Sequence, residues 1–505
     1  LGGRRIFKKI KWKDDLELHP LIFEGPLSTS VQEKHQIQAR SCQVEELKLS
    51  TPEGASLGTL KIYQSTVRRI PTKKGEQSDP VPFVSPDPFW NTTAIHYQEL
   101  LPSAEAVPIL LARDDAGREQ VVGVRQNNQI LLGVPVLDLI ARQHTTPPYE
   151  DAGFYAATAH FDANQIEAWL LNQIEQLFHA HGRTVLRLGR WPANYHSALS
   201  IRHDYDRLIS DEALQSLLSF YRKTGVKSTW FWRLLHGAAH EQAHRVIAEK
   251  HEVALHTETT NLESFCDEEV RFFQEQMKVH PLGLCAHGGA GAVGYVGQRQ
   301  MEWALANGMT YGEMLLGPAH PKLPHQAILT REGIPRPCSL ILPAQHKGLD
   351  INTKPEGHCY DSLLVDAQKA LDNGEHVVVM NHPDVHIPEL QKLLTNLNLS
   401  RTWKVTMEEA CRWFAQVKAN TAQMRTNARQ SIYFADEIPT DVECILSSRH
   451  GEYRTMIPEG TSALNLDHAE VPQVSIRSRS RKSWRFWKQT SPALQSLTVK
   501  KQNAA

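Results

Sequence analysis

Between about residue 196 and residue 415 the chain alternates short apolar, β-branched runs with amphipathic helical segments. Strand followed by helix, repeated, cannot bury both element types unless the strands run parallel with helices packed over them. The first run, Ala198-Leu-Ser-Ile-Arg-His203, reads as a strand. Ser210 then caps a helix whose apolar stripe is Leu214, Leu217, Leu218 and Tyr221, and Gly225 stops it. Further strands are expected at Val226 to Trp232, Glu252 to His256, Leu282 to His287, Met309 to Met314, Ser339 to Leu342 and His376 to Asn381. Helices fall between them at about 238 to 250, 267 to 279 (Val270, Phe273 and Met277 inward), 297 to 307 and 361 to 373. Thr406-x-x-Glu409 is a capping box that opens a last helix. Six or seven such units predict an α/β fold, an irregular (β/α) barrel whose active site lies at the C-terminal strand ends.

The flanks read differently. Residues 1–40 begin with Arg4, Arg5, Lys8, Lys9, Lys11 and Lys13 interleaved with Ile6, Phe7, Ile10 and Trp12, which suits either a membrane-surface helix or a solvated terminus. Residues 41–190 form a mixed α/β domain, with a hairpin at Val121-Val-Gly-Val-Arg125 turning into Ile130-Leu-Leu-Gly133 and a helix over 164 to 182. A small β-rich region follows at 425–470. The tail 471–505 carries eight Lys or Arg and no Asp or Glu, with Trp484, Phe486 and Trp487 among them. It fits an anionic membrane surface or acidic polymer, or a disordered solubilising segment. The formal net charge of -1 over 505 residues gives no polyelectrolyte character, and no specific nucleic-acid partner is expected. The seven cysteines form no C-x-x-C pair, and no apolar run approaches the ~20 residues that span a bilayer. A reducing, cytoplasmic setting is expected, peripheral to the inner membrane face if the basic termini bind lipid.

The chemistry-bearing residues collect at strand ends. Asp204-Tyr205-Asp206 closes the first strand, Ala254-Leu255-His256-Thr257 the third, and Met380-Asn381-His382-Pro383 the last. Two carboxylates one residue apart can divide labour: Asp206 with His256 offers an oxygen and a nitrogen to a divalent ion, and Asp204 stays free as general base. His382 can protonate a leaving amine or alcohol. Zinc is the default ion; cobalt, nickel and manganese suit the same donors. The plainer alternative makes these groups buried partners of Arg202, Arg207 and one another.

Ser200-Ile-Arg-His-Asp-Tyr-Asp-Arg207, His251-Glu-Val-Ala-Leu-His-Thr257 and Val377-Val-Val-Met-Asn-His-Pro-Asp384 together resemble the ordered motifs of the polysaccharide deacetylase, or NodB-homology, superfamily of metal-dependent carbohydrate esterases. Trp403-Lys-Val-Thr-Met-Glu-Glu409 resembles the segment that closes that domain. The resemblance covers about 200 to 415. It implies Asp204 as base, Asp206 and His256 as metal ligands, His382 as acid, and an acylated, typically N-acetylated, carbohydrate as substrate. One position departs: the second histidine expected four residues after His256 is Thr260. His287, in Leu284-Cys-Ala-His-Gly-Gly289, is the proposed third ligand, with Glu258 as the alternative. If neither reaches, the domain is a catalytically silent relative serving as a scaffold in surface-polysaccharide assembly.

His240-Glu241-Gln242-Ala243-His244 matches H-E-x-x-H, the zinc-peptidase helix. Arg245, Glu249 and Lys250 close behind it argue for a solvated helix face instead. Gly288-Gly-Ala-Gly-Ala-Val-Gly294 lacks a P-loop lysine and dinucleotide spacing, and reads as a loop over the cleft.

Overall fold

A computed structural model describes residues 21–24, 27–61, 66–67, 81–82, 95–127, 129–137, 163–182, 184–234, 240–257, 265–286, 298–313, 322–331, 334–344, 351, 358–422, 425–426, 431–433, 438, 441–467 and 473–478. The basic stretch near the start, most of the basic tail, His287, Glu258, Thr260 and the 288–294 glycine loop lie outside them.

The central region starts with β1 (Val185–Pro192) and β2 (Ser197–Tyr205). Then follow α1 (Asp211–Thr224), β3 (Ser228–Trp232), α2 (His240–Ala248), β4 (Glu252–Thr257), α3 (Phe265–Met277) and β5 (Gly283–Ala286). Next are α4 (Gln298–Ala306), β6 (Tyr311–Glu313), the strands β7 (His325–Arg331) and β8 (Ile334–Leu342), and α5 (His358–Asp372). The region ends with β9 (His376–Asn381), α6 (Ile387–Asn396), β10 (Thr402–Lys404) and α7 (Met407–Ala422). The strands order as β7-β8-β6-β5-β4-β3-β2-β9, with β10 also paired to β2. All these pairings are parallel except β7 with β8, an antiparallel hairpin at one edge.

Among the described residues no pairing joins β9 back to β7 or β8, so the expected barrel is an open half-barrel. It curls enough that inward side chains from β3, β4, β5, β6, β8 and β9 share one apolar cluster: Phe231, Ala254, Cys285, Tyr311, Ile341 and Val378, plugged by Met407 and Cys411 of α7.

Strand alternation sorts β2 into two sets. Leu199, Ile201 and Tyr205 join the larger cluster with Leu214, Leu217, Leu218 and Tyr221 of α1. Ser200, Arg202 and Asp204, one residue out of phase, face the concave side. Every residue of β2 is buried, as a central strand covered on both faces requires. His203 belongs to the helix side. Its Nδ1 lies 3.2 Å from the Asn381 carbonyl, which can only accept, so Nε2 takes the Tyr221 hydroxyl at 2.7 Å.

Local signals explain the helix ends. The Ser210 hydroxyl accepts from Ala213 N–H, and Gly225 takes the left-handed conformation after α1. Thr406 and Glu409 each accept from the other's backbone N–H, completing the capping box of α7. That N-terminus is inserted into the base of the half-barrel: Met407 N–H donates to Thr229 Oγ1 and Glu408 N–H to Glu252 Oε2. The Tyr311 hydroxyl reaches Glu252 at 2.6 Å, and its ring passes over Gly283, where a Cβ would sit 1.9 Å from Tyr311 Cζ.

The flanks pack as further layers. A six-stranded sheet holds, in spatial order, Leu21–Glu24, Gln129–Leu132, Glu119–Gln126, Val107–Asp114, Glu46–Ser50 and Ser56–Lys61. The expected hairpin is its Glu119–Gln126/Gln129–Leu132 pair. The helix Ala163–Ala180 covers this sheet with Ile166, Trp169, Leu170 and Leu177. After α7, β11 (Val442–Ser448) and β12 (Gly451–Ile457) form a hairpin. β11 also pairs antiparallel with β1, so segments on either side of the half-barrel share one small sheet. No helix among the described residues is long and apolar enough to cross a membrane, which says nothing of strands.

Candidate active site

β2 and β4 are separated only by β3 and end at the same level, while β9 flanks β2 on its other side. Their C-terminal ends therefore bring Asp204, Asp206, His256 and His382 into one cleft, at the end where parallel α/β sheets bind ligands. Asp206 is the hub. Its Oδ1 lies 3.2 Å from His256 Nε2 and its Oδ2 3.3 Å from His382 Nε2. Asp204 Oδ2 lies 3.8 Å from the same His256 nitrogen. The Asp206 side chain is 26% exposed and that of His382 29%, whereas Asp204 is at 7% and His256 at 1%. One carboxylate and one imidazole thus face the opening, and one of each lies below.

The deeper carboxylate is not isolated. Arg202, two residues earlier on the same face of β2, donates from Nε to Oδ1 at 2.8 Å and from Nη2 to Oδ2 at 2.9 Å. Its guanidinium rests over the Phe231 ring at 5.4 Å and also donates to Cys285 Sγ at 2.8 Å. A fork of this kind fixes the carboxylate plane and supplies its counter-charge. The sequence offers Arg202 as a buried partner of these carboxylates, and it pairs with Asp204. Cys285 is marked by nothing local, because its place opposite His256 comes from the β4–β5 register.

His382 is held above its ordinary pKa, first by the hydrogen bond to Asp206 and then by the charges of Asp204, Asp206 and Asp384; burial opposes this. Arg207 pairs with Asp384 across the mouth. His256 Nδ1 lies 3.3 Å from the Cys285 carbonyl, so that nitrogen carries the hydrogen and Nε2 faces the carboxylates. Among the described residues, one set of three donors could hold a metal ion: Asp204, His256 and Cys285, all buried, with ligand atoms within 4.8 Å of one another. An oxygen, an imidazole nitrogen and a sulfur suit a zinc-class ion.

The H-E-x-x-H helix is differently employed. His240 packs edge-on against Phe272, His244 Nε2 lies 3.0 Å from the Gln276 carbonyl, and Glu241 is exposed.

No family model and no curated protein matches the chain. Among solved structures it is similar to a protein from Mycobacterium smegmatis assigned as a polysaccharide deacetylase, at 16% identity and TM-score 0.35, over 47% of this chain and 96% of that one. It is also similar to the catalytic domain of a peptidoglycan N-acetylglucosamine deacetylase from Eubacterium rectale, at 11% identity and TM-score 0.28, over 42% and 89% of the two chains. A third is a CE4 family pseudoenzyme from Bacillus anthracis, at 13% identity and TM-score 0.29, over 43% and 65%.

Proposed function

We propose that the protein is a metal-dependent hydrolase that removes an acyl group, N-acetyl foremost, from a sugar in a glycan or glycan precursor. The observation that carries this reading is the position of Asp206, within 3.3 Å of two imidazoles delivered by two other strand ends. A zinc-class ion held in this cleft by His256 and a cleft carboxylate would acidify water and polarise the acyl carbonyl.

The chain's own groups do the rest. A cleft carboxylate accepts the proton of the attacking water. His382, oriented by Asp206, returns a proton to the leaving nitrogen. Arg202 and Phe231 wall the base of the cleft, and Arg207 with Asp384 borders its mouth. The test is acetate release from acetylated amino-sugar oligomers with and without chelator. Loss of release in Asp206→Ala supports the reading, and undiminished release in that variant overturns it.

A second reading, a silent scaffold, draws on Arg202, whose guanidinium already neutralises Asp204. It predicts neither acetate release nor metal uptake.

A further inference from the structure

We propose that the ion is held by Asp204, His256 and Cys285, a thiolate-containing set, and that Asp206 is left as the solvent-facing base. This rests on the metal-dependent reading above and reverses the roles the motif resemblance implies for the two carboxylates.

Three observations converge. First, His256 and Cys285 are register partners in the parallel pairing of β4 and β5, so their side chains leave the same face side by side. Such adjacency is built into the sheet and needs no loop to close. Second, the His256 tautomer is set by the Cys285 carbonyl at Nδ1. Its Nε2 lone pair then points at two carboxylate oxygens, 3.2 Å and 3.8 Å away. That nitrogen, an Asp204 oxygen and the Cys285 sulfur all lie within 4.8 Å of one another, a spacing one metal ion can bridge. A ligating imidazole whose other nitrogen is tied to a backbone carbonyl is also the usual outer-shell arrangement.

Third, the surroundings separate the carboxylates. Asp204 is buried and fixed in plane by Arg202, as a ligand should be, and the same guanidinium donates a hydrogen bond to the sulfur, tying two of the three donors into one rigid set. Asp206 is the more exposed of the two and touches His382, as a group exchanging protons with water and substrate should. A sulfur donor also narrows the ion. Zinc and cobalt accept thiolate, imidazole and carboxylate together; magnesium and calcium do not.

The experiment uses the full chain, stripped with chelator and titrated with cobalt(II), reading bound metal by elemental analysis and near-ultraviolet absorption. Expected are one equivalent of cobalt and a sulfur-to-cobalt charge-transfer band. The band should vanish in Cys285→Ser, with affinity falling about tenfold or more, and should persist in Cys411→Ser. Asp204→Asn should weaken binding, while Asp206→Asn should keep both band and stoichiometry. Circular dichroism melts establish that each variant is folded, and the wild-type spectrum stands without any variant. One equivalent of cobalt without the band, or a loss of binding confined to Asp206→Asn, overturns this ligand set and leaves the metal-dependent reading intact. No cobalt bound at all overturns both.

Discussion

Arg202 holds Asp204 through both carboxylate oxygens, at 2.8 and 2.9 Å, and the two side chains leave the same face of one strand two residues apart. The pair is almost fully buried, at 9% and 7% side-chain exposure. Removing one partner of such a pair strands a charge. Arg202→Met is therefore expected to destabilise the protein by about 3–5 kcal/mol. Arg202→Met with Asp204→Asn should recover a large part of that loss. Chemical denaturation of the two single variants and the double variant reads the coupling, and strict additivity would deny it.

Gly283 is required by a neighbour rather than by its own backbone angles. Tyr311 lies across it, 1.9 Å from where a Cβ would be, and reaches Glu252 with its hydroxyl. Gly283→Ala must displace a buried aromatic ring, an overpacking cost of about 1–3 kcal/mol. Tyr311→Phe should lose only the hydrogen bond, about 1 kcal/mol. Thermal melts of both variants give the order, and a Gly283→Ala protein as stable as wild type would contradict it.

Glu252 gives the protein a pH signature. Burial pushes its carboxyl up to about 7 from an ordinary 4.5, against hydrogen bonds from Tyr311, Thr229 and Glu408 N–H. The folded-state value lies above the unfolded one, so the folded protein holds the extra proton between the two. This contribution is full below about 4.5 and is lost as pH rises to about 7, on the order of 3 kcal/mol in total. His203 works in the opposite sense. Burial lowers it to about 3 from 6.5, so its contribution is full above about 6.5 and is lost as pH falls toward 3. Glu252→Gln should flatten the decline between about 4.5 and 7 and leave the acid limb in place. Unfolding free energies across that range, unchanged in slope by the substitution, would remove Glu252 as the cause.

Activity should follow the cleft and ignore the second histidine motif. His382→Gln and Asp206→Asn are each expected to lower acetate release by about 10²–10⁴-fold. Glu241→Gln should leave it within about twofold, because Glu241 is exposed and its flanking histidines are engaged elsewhere. A collapse of activity in Glu241→Gln alone would transfer the chemistry to α2.

Periodicity made the central fold legible. The stripe Leu214, Leu217, Leu218 and Tyr221 and the caps at Ser210, Thr406 and Glu409 stand where spacing placed them. The gathering of Asp204, Asp206, His256 and His382 followed from the shared polarity of parallel strands. Open closure was not legible, because nothing in a strand's composition says whether its last neighbour is present. Of the β7–β8 hairpin only Ser339 to Leu342 carries a strand signal, since Ile334-Pro-Arg-Pro337 lacks an alternating pattern. The β1–β11 pairing joins residues some 250 positions apart, and no local signal records it. Cys285 was hidden for a related reason: its meaning comes from His256 across the sheet, not from its own neighbours.

That small sheet of β1, β11 and β12 bears on how the protein can be cut. Trp191 of β1 packs with Trp413 of α7 and with Val442, Cys444 and Leu446 of β11 in one buried cluster, and the Trp413 indole donates to the Arg190 carbonyl. Trimming to 196–415, where the strand–helix alternation begins and ends, would remove β1, β11 and β12 together, cut α7 short and bare the apolar face around Trp413 that they cover. A soluble fragment has to begin before Val185 and run past Ile457, because the enclosed half-barrel is sealed by chain that its own pattern excludes.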